Sequence, residues 1–172
     1  LKHCERKSIN ALKVVKREMN AAKDRLKEED SQYVSIGEIT ATPINLHINS
    51  GGGSVFDVLF AIDQIKNLKV PVHTIVSGMA ASAGTVLSCA GTKRFITKNA
   101  HMLIHEIRSG FWGKKSEIDE HFENTSQLSK LLIDYYKDHT KMTEDDLKEI
   151  LKHDYYWDAQ KCLEKGLVDE IM

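Results

Sequence analysis

Twice between Ile44 and Ala90 the chain passes from a short apolar strand through small residues into a helix, and no other feature constrains the fold as tightly. The first unit runs Ile44-Asn45-Leu46-His47-Ile48, then Asn49-Ser50-Gly51-Gly52-Gly53, then a helix from Ser54. Its apolar residues Val55, Val58, Leu59, Ile62, Ile65 and Leu68 follow three- and four-residue steps, and Ser54 with Asp57 has the form of a capping box. The second unit is the β-branched strand Val72–Val76 after Pro71, then the small residues to Ala81, then a helix predicted from Ser82 to Ala90. Gly91 stands where a left-handed C-terminal cap would fall. A third strand, Met102-Leu103-Ile104, leads into His105. Strand, helix, strand, helix, strand at this spacing predicts an α/β fold with parallel strands and right-handed crossovers.

The flanks complete the picture. Residues 31–112 are sparse in charge while both sides are dense in it, the pattern of a buried sheet wrapped by its own helices. Ile9, Leu12, Val15, Met19, Ala22 and Leu26 predict a long amphipathic helix within 1–30 that ends at Glu28-Glu29-Asp30. A weak strand signal at Tyr33–Ile36 follows. Beyond His105 comes the glycine-punctuated excursion Arg108–Gly113, then a helix over Lys115–His139 with an apolar stripe at Leu128, Leu131, Leu132 and Tyr135. Thr143 and Asp146 open a short helix ending near Lys152. A last helix spans Asp158–Lys165, closed by Gly166 and followed by a short strand Leu167-Val168.

At 172 residues and 41% hydrophobic content the chain suits one domain over 1–172 with a real core. A net charge of −1 offers no basic excess for nucleic acid or anionic lipid. No apolar run approaches the roughly 18 residues that cross a bilayer, and no signal-peptide pattern opens the sequence. Cys4, Cys89 and Cys162 are odd in number and lack metal-ligand spacing. Neither a metal nor a cofactor is expected, and buried thiols in the cytoplasm or an equivalent reducing compartment are the economical reading.

The three strand ends carry a triple glycine, Ser82 at a helix start, and His105. In open α/β sheets reactive groups collect at the carboxyl ends of strands. A hydroxyl, an imidazole and free backbone amides are the parts of an acyl-transfer site, and Asp154 is the acidic residue available to orient the imidazole. Pattern alone leaves this open. A strand-end histidine is as readily structural, with His73 and His101 nearby; Asp154 reads equally as a loop aspartate; and Gly78-x-x-x-Ser82 is not the nucleophile-elbow motif.

Asn49-Ser50-Gly51-Gly52-Gly53-Ser54-Val55, Gly78-Met79-Ala80-Ala81-Ser82-Ala83-Gly84, Met102-Leu103-Ile104-His105 and Gly166-Leu167-Val168-Asp169 together resemble the proteolytic subunit family of the Clp protease, from about Ile44 to Met172. The resemblance implies a ClpP/crotonase-like fold of repeated strand-strand-helix units with a protruding handle helix within 108–140. It implies a serine endopeptidase with Ser82 as nucleophile, His105 as general base, Asp154 as orienting acid, and the Gly53 and Ala83 amides as oxyanion donors. It further implies stacked, heptameric rings that enclose a chamber and take unfolded polypeptides from an AAA+ unfoldase, which alone uses ATP. Neither nucleic acid nor membrane is an expected partner. This chain departs from the family in having Gly51 for the usual proline and Glu106-Ile107 for the usual Gln-Pro. The family's axial loop and first strand have no counterpart before the opening helix.

Three other readings compete. A crotonase-like acyl-CoA enzyme shares the fold but needs no Ser-His-Asp set. A silent ring subunit or scaffold would be expected to lose one of those residues. A Ser/Lys dyad would use Lys93 or Lys98 as base.

Overall fold

The computed structural model describes Thr42–Met172 together with Lys2, Arg6 and Arg17, three exposed residues in helical conformation. The amphipathic stripe expected within 1–30, the strand signal at Tyr33–Ile36 and Cys4 lie outside the described residues. Among the described residues five strands form one sheet: β1 (Ile44–Ser50), β2 (Val72–Ala81), β3 (Lys93–Ile96), β4 (His101–Leu103) and β5 (Glu170–Ile171). Their order is β1-β2-β3-β5 with β4 also paired to β2, and all four ladders are parallel, as the repeated units predicted. The helices are α1 (Val55–Lys66), α2 (Ala83–Ser88), α3 (Lys115–His139), α4 (Glu144–Ile150) and α5 (Ala159–Lys165).

β2 organises the sheet because its two halves do different things. Val72–Val76 is the β-branched part and lies between β1 and β3. The strand then continues past Gly78, further than its apolar run suggested, and Met79–Ala81 pairs with β4. The β1 ladder slips between Ile48 and Ser50, and there the Asn49 side chain substitutes for a backbone partner, its Oδ1 accepting from the Met79 amide at 3.2 Å. One hydrophobic cluster, with Val76, Val86, Ile96, Met102, Leu147 and Leu167 among its fully enclosed members, unites sheet and helices. Three buried hydroxyl residues are each satisfied locally: Thr74 donates to the Ser88 carbonyl, Ser88 to Thr85, and Thr85 to Ser82.

Several boundaries differ from the sequence expectation, each for a visible reason. The helix after Ser82 covers only Ala83–Ser88 and ends on Cys89 in right-handed conformation. Gly91 is therefore no left-handed cap. It is small because a Cβ there would lie 2.4 Å from Thr74 Oγ1 and 2.8 Å from the Lys93 carbonyl. β3 went unforeseen, since Lys93 and Arg94 give it a polar start. The closing strand is Glu170–Ile171 rather than Leu167-Val168, whose side chains are buried in the core without joining a ladder. On α3 the buried residue is Tyr136, with Leu132 and Ile133 packed beside it, whereas Leu131 is 43% exposed. Thr143 and Asp146 form their reciprocal box and Gly166 closes α5 in left-handed conformation, as the sequence indicated, whereas of the Ser54 and Asp57 box only half is made, Ser54 accepting from the Asp57 amide.

Arg94 fastens the tail. Its guanidinium donates to both carboxylate oxygens of Asp169 and to the carbonyls of His139 and Gly166. Burial alone would raise the Asp169 carboxyl, but the hydrogen bonds from the Arg94 side chain and amide outweigh it and hold the group below its ordinary value. A carboxylate depressed on folding adds stability that is complete above its unfolded pKa, about 3.9, and is lost as pH falls through the folded value. The denaturation midpoint should consequently fall more steeply with pH below about 4 in the wild type than in Asp169→Asn; equal slopes would exclude this pair as a source of acid sensitivity.

Burial pushes the Cys89 thiol up to about 11 and the Cys162 thiol up to about 12. Both are expected to resist iodoacetamide at pH 8 in the native protein and to react once it is unfolded in urea, as mass spectrometry would read out.

Candidate functional site

Ser82 sits where β2 turns into α2, with φ 54° and ψ −127°, the one non-glycine positive φ among the described residues. Such a conformation costs on the order of 1–3 kcal/mol and persists only when its surroundings over-determine it. Here they do. The Ser82 amide donates to the Leu103 carbonyl at 2.8 Å, and the Ser82 carbonyl accepts from the Thr85 amide at 2.9 Å and from Thr85 Oγ1 at 2.7 Å. Thr85 Oγ1 has a single proton, already committed to Ser82, so the Tyr136 hydroxyl is the donor in the bond between these two side chains. Burial, the largest effect, pushes the Tyr136 phenol well up and keeps it protonated for that role. A strained strand-to-helix turn that displays a serine is the geometry of a nucleophile elbow, reached here without the elbow's sequence motif.

Glycine makes room opposite. Gly52 has φ 100°, and a Cβ on it would lie 2.6 Å from Ser82 Cβ and 2.8 Å from the Ala81 carbonyl. The neighbouring Gly53 amide and the Ala83 amide, first of α2, have no protein acceptor among the described residues. Both residues line a cavity of about 270 Å³ together with Ser82 and His105.

His105 follows β4, two residues past its end. The segment carrying Asp154 is held against it from both sides: Met102 and Trp157 exchange backbone hydrogen bonds at 2.8 and 2.9 Å, and the Glu106 amide donates to the Leu151 carbonyl at 2.8 Å. This brings Asp154 Oδ1 to 3.3 Å from His105 Nδ1. The contact lies within ion-pair distance but off hydrogen-bond geometry, and buried Nδ1 has no hydrogen-bond partner. The other carboxylate oxygen, Oδ2, is bonded to Arg108.

The structure thus gathers four of the expected residues, Gly53, Ser82, Ala83 and His105, on one cavity and sets the fifth, Asp154, beside the imidazole. Ser82 Oγ makes no hydrogen bond among the described residues, to His105 or otherwise. The rival histidines are elsewhere: His73 packs on Phe95, and exposed His101 lies by the Asn99 carbonyl. Neither Lys93 nor Lys98 lines the cavity. Arg108 was not singled out from the sequence, where an arginine in a glycine-rich excursion carries no signal.

The parallel α/β sheet thus carries a strained serine at a helix start and a histidine on the same cavity. Over residues 31–172 the sequence matches the family model described as Clp protease, and the chain belongs to the Clp protease family. That membership makes peptide hydrolysis, generally of the serine type, the activity of its class. Among the described residues no helix is long and apolar enough to cross a membrane.

Because Gly52 needs both a left-handed φ and an absent Cβ, Gly52→Ala should lower stability by about 2–4 kcal/mol in urea titrations. A loss below about 0.5 kcal/mol would mean that Ser82 yields freely.

Proposed function

We propose that this protein is a serine endopeptidase in which Ser82 is the nucleophile, His105 the general base and Asp154 the acid that orients the imidazole. The observation that carries the reading is the convergence of strained Ser82 and His105 on one cavity, with the Asp154 carboxylate 3.3 Å from His105 Nδ1. With Nδ1 turned to the carboxylate, Nε2 is the ring nitrogen left to take the Ser82 proton as Oγ attacks the scissile carbonyl. The tetrahedral oxyanion would be received by the Gly53 and Ala83 amides, each such donor being worth about 2.7–4 kcal/mol of transition-state stabilisation in comparable sites. His105 then returns the proton to the departing amine, and water repeats the sequence to release the acyl group. The open Ser82 to His105 contact is compatible with this cycle, because catalytic hydrogen bonds often tighten only when substrate is bound.

The substrates in this reading are unfolded polypeptides admitted to a chamber of stacked, heptameric rings. An AAA+ unfoldase supplies them and is the only component that uses ATP, so the subunit itself needs no cofactor or metal. The 25-residue α3, with the excursion before it, suits the handle between rings. Family membership supports self-association and work with an unfoldase. A silent ring subunit is the second reading, favoured by the missing hydrogen bond on Ser82.

One substitution separates the two. Ser82→Ala should abolish fluorogenic-peptide turnover, a loss of at least about 10³-fold, and abolish fluorophosphonate labelling, while the assembly sediments as the wild type does. A wild type that neither turns over peptide nor takes up label would favour the silent subunit, and labelling that survives in the variant would remove Ser82 from its role.

A further inference from the structure

Besides its catalytic candidates, the Ser82 cavity carries a cation on its wall: Arg108, three residues beyond His105. The same guanidinium holds Asp154 Oδ2, so this carboxylate has two claimants. A carboxylate has lone pairs enough for both, yet in this structure only one of the two bonds is made. The charge-assisted bond to Arg108 is made, whereas His105 Nδ1 is left buried and unpaired 3.3 Å from Oδ1. An unpaired buried polar atom is costly, so something must hold the carboxylate out of line, and Arg108 is the only other group bonded to it among the described residues.

We propose that Arg108 is a latch on Asp154, a positioning residue that keeps the carboxylate off the His105 N–H axis until the guanidinium is drawn away. When Arg108 lets go, rotation of the Asp154 side chain brings an oxygen onto Nδ1–H, fixes the tautomer and aims Nε2 at Ser82. The agent of release is an acidic side chain on the entering polypeptide, because Arg108 lines the same cavity as Ser82 and His105. The other charged group on that wall, Glu106, offers the guanidinium a further landing place. On the segment before Asp154, Lys152 and His153 are both engaged by Glu149 and do not compete for the carboxylate. The inference rests on the serine-peptidase reading above.

The pair is exposed, 69% for the Arg108 side chain and 49% for Asp154. Exposed pairs shift an equilibrium by a few-fold at most and are screened by salt. The test is the rate of Ser82 labelling by a fluorophosphonate, with turnover of a short uncharged fluorogenic peptide, for wild type, Arg108→Gln and Arg108→Lys. Each is measured from about 0.1 M to about 1 M salt, over which the screening length falls from about 10 to about 3 Å. Arg108→Gln should label about two- to five-fold faster than wild type at low salt, raise kcat with KM little changed, and respond weakly to salt. The wild type should accelerate towards it as salt rises, and Arg108→Lys, which keeps the charge, should accelerate too. A wild-type rate that is flat or falls with salt, or an Arg108→Gln rate at or below the wild type's, overturns the latch. If Ser82 is labelled in the wild type and only these comparisons fail, the latch alone is lost; if Ser82 is labelled in none of the three proteins, the nucleophile and the latch fall together.

Discussion

The backbone at Ser82 is the constraint on which the rest of the site depends. A serine with φ 54° would relax to an ordinary turn if left alone, and three hydrogen bonds prevent it. One is to Leu103 on β4 and two are from Thr85 of α2, whose hydroxyl is itself fixed by Tyr136 from α3. Sheet, short helix and long helix must all be in place before the hydroxyl is displayed. The strain is local, but the restraint is global, the arrangement expected where a reactive group has to be held against its own conformational preference.

The same economy explains His105 and Asp154. They lie 49 positions apart in sequence, and no side-chain hydrogen bond joins them. Backbone pairing does the positioning instead: the Met102 and Trp157 bridge and the Glu106 to Leu151 bond lay one segment along the other. Backbone hydrogen bonds position the segment without depending on which side chains it carries, so the carboxylate remains free to turn about its own χ angles within a fixed backbone frame. A fixed frame with a rotatable carboxylate is what a two-partner Asp154 requires.

Much of the scaffold could be read from residue pattern, because the strands β1 and β2 and the helices α1 and α3 follow strong hydrophobic periods bounded by glycine, proline or capping side chains. The parallel arrangement followed from spacing. What escaped was set by tertiary contact. β3 begins with Lys93-Arg94, which no period marks as strand, yet Arg94 is turned inward by acceptors from distant segments. Leu167 and Val168 looked like a strand and are core instead, since the ladder partner of β3 is supplied two residues later. At the site, Ser82, His105 and the glycine run were legible as strand-end chemistry, whereas Asp154 depended on family likeness, and Arg108 on neither, because the contact that gives it meaning spans 46 residues.

The grip of Arg94 on the chain's final stretch has a consequence for dynamics. One planar cation ties together the end of α3, the Gly166 turn and Asp169, segments separated by 45 to 75 residues from Arg94 itself. Loosening any one of them strands a half-enclosed guanidinium, so piecemeal fraying is disfavoured. Amide protons around Lys93–Ile96, His139 and Glu170–Ile171 ought therefore to exchange with deuterium as a single cooperative unit. The edge strand Glu170–Ile171 is thereby tied to its inner neighbour β3 by more than its own short ladder.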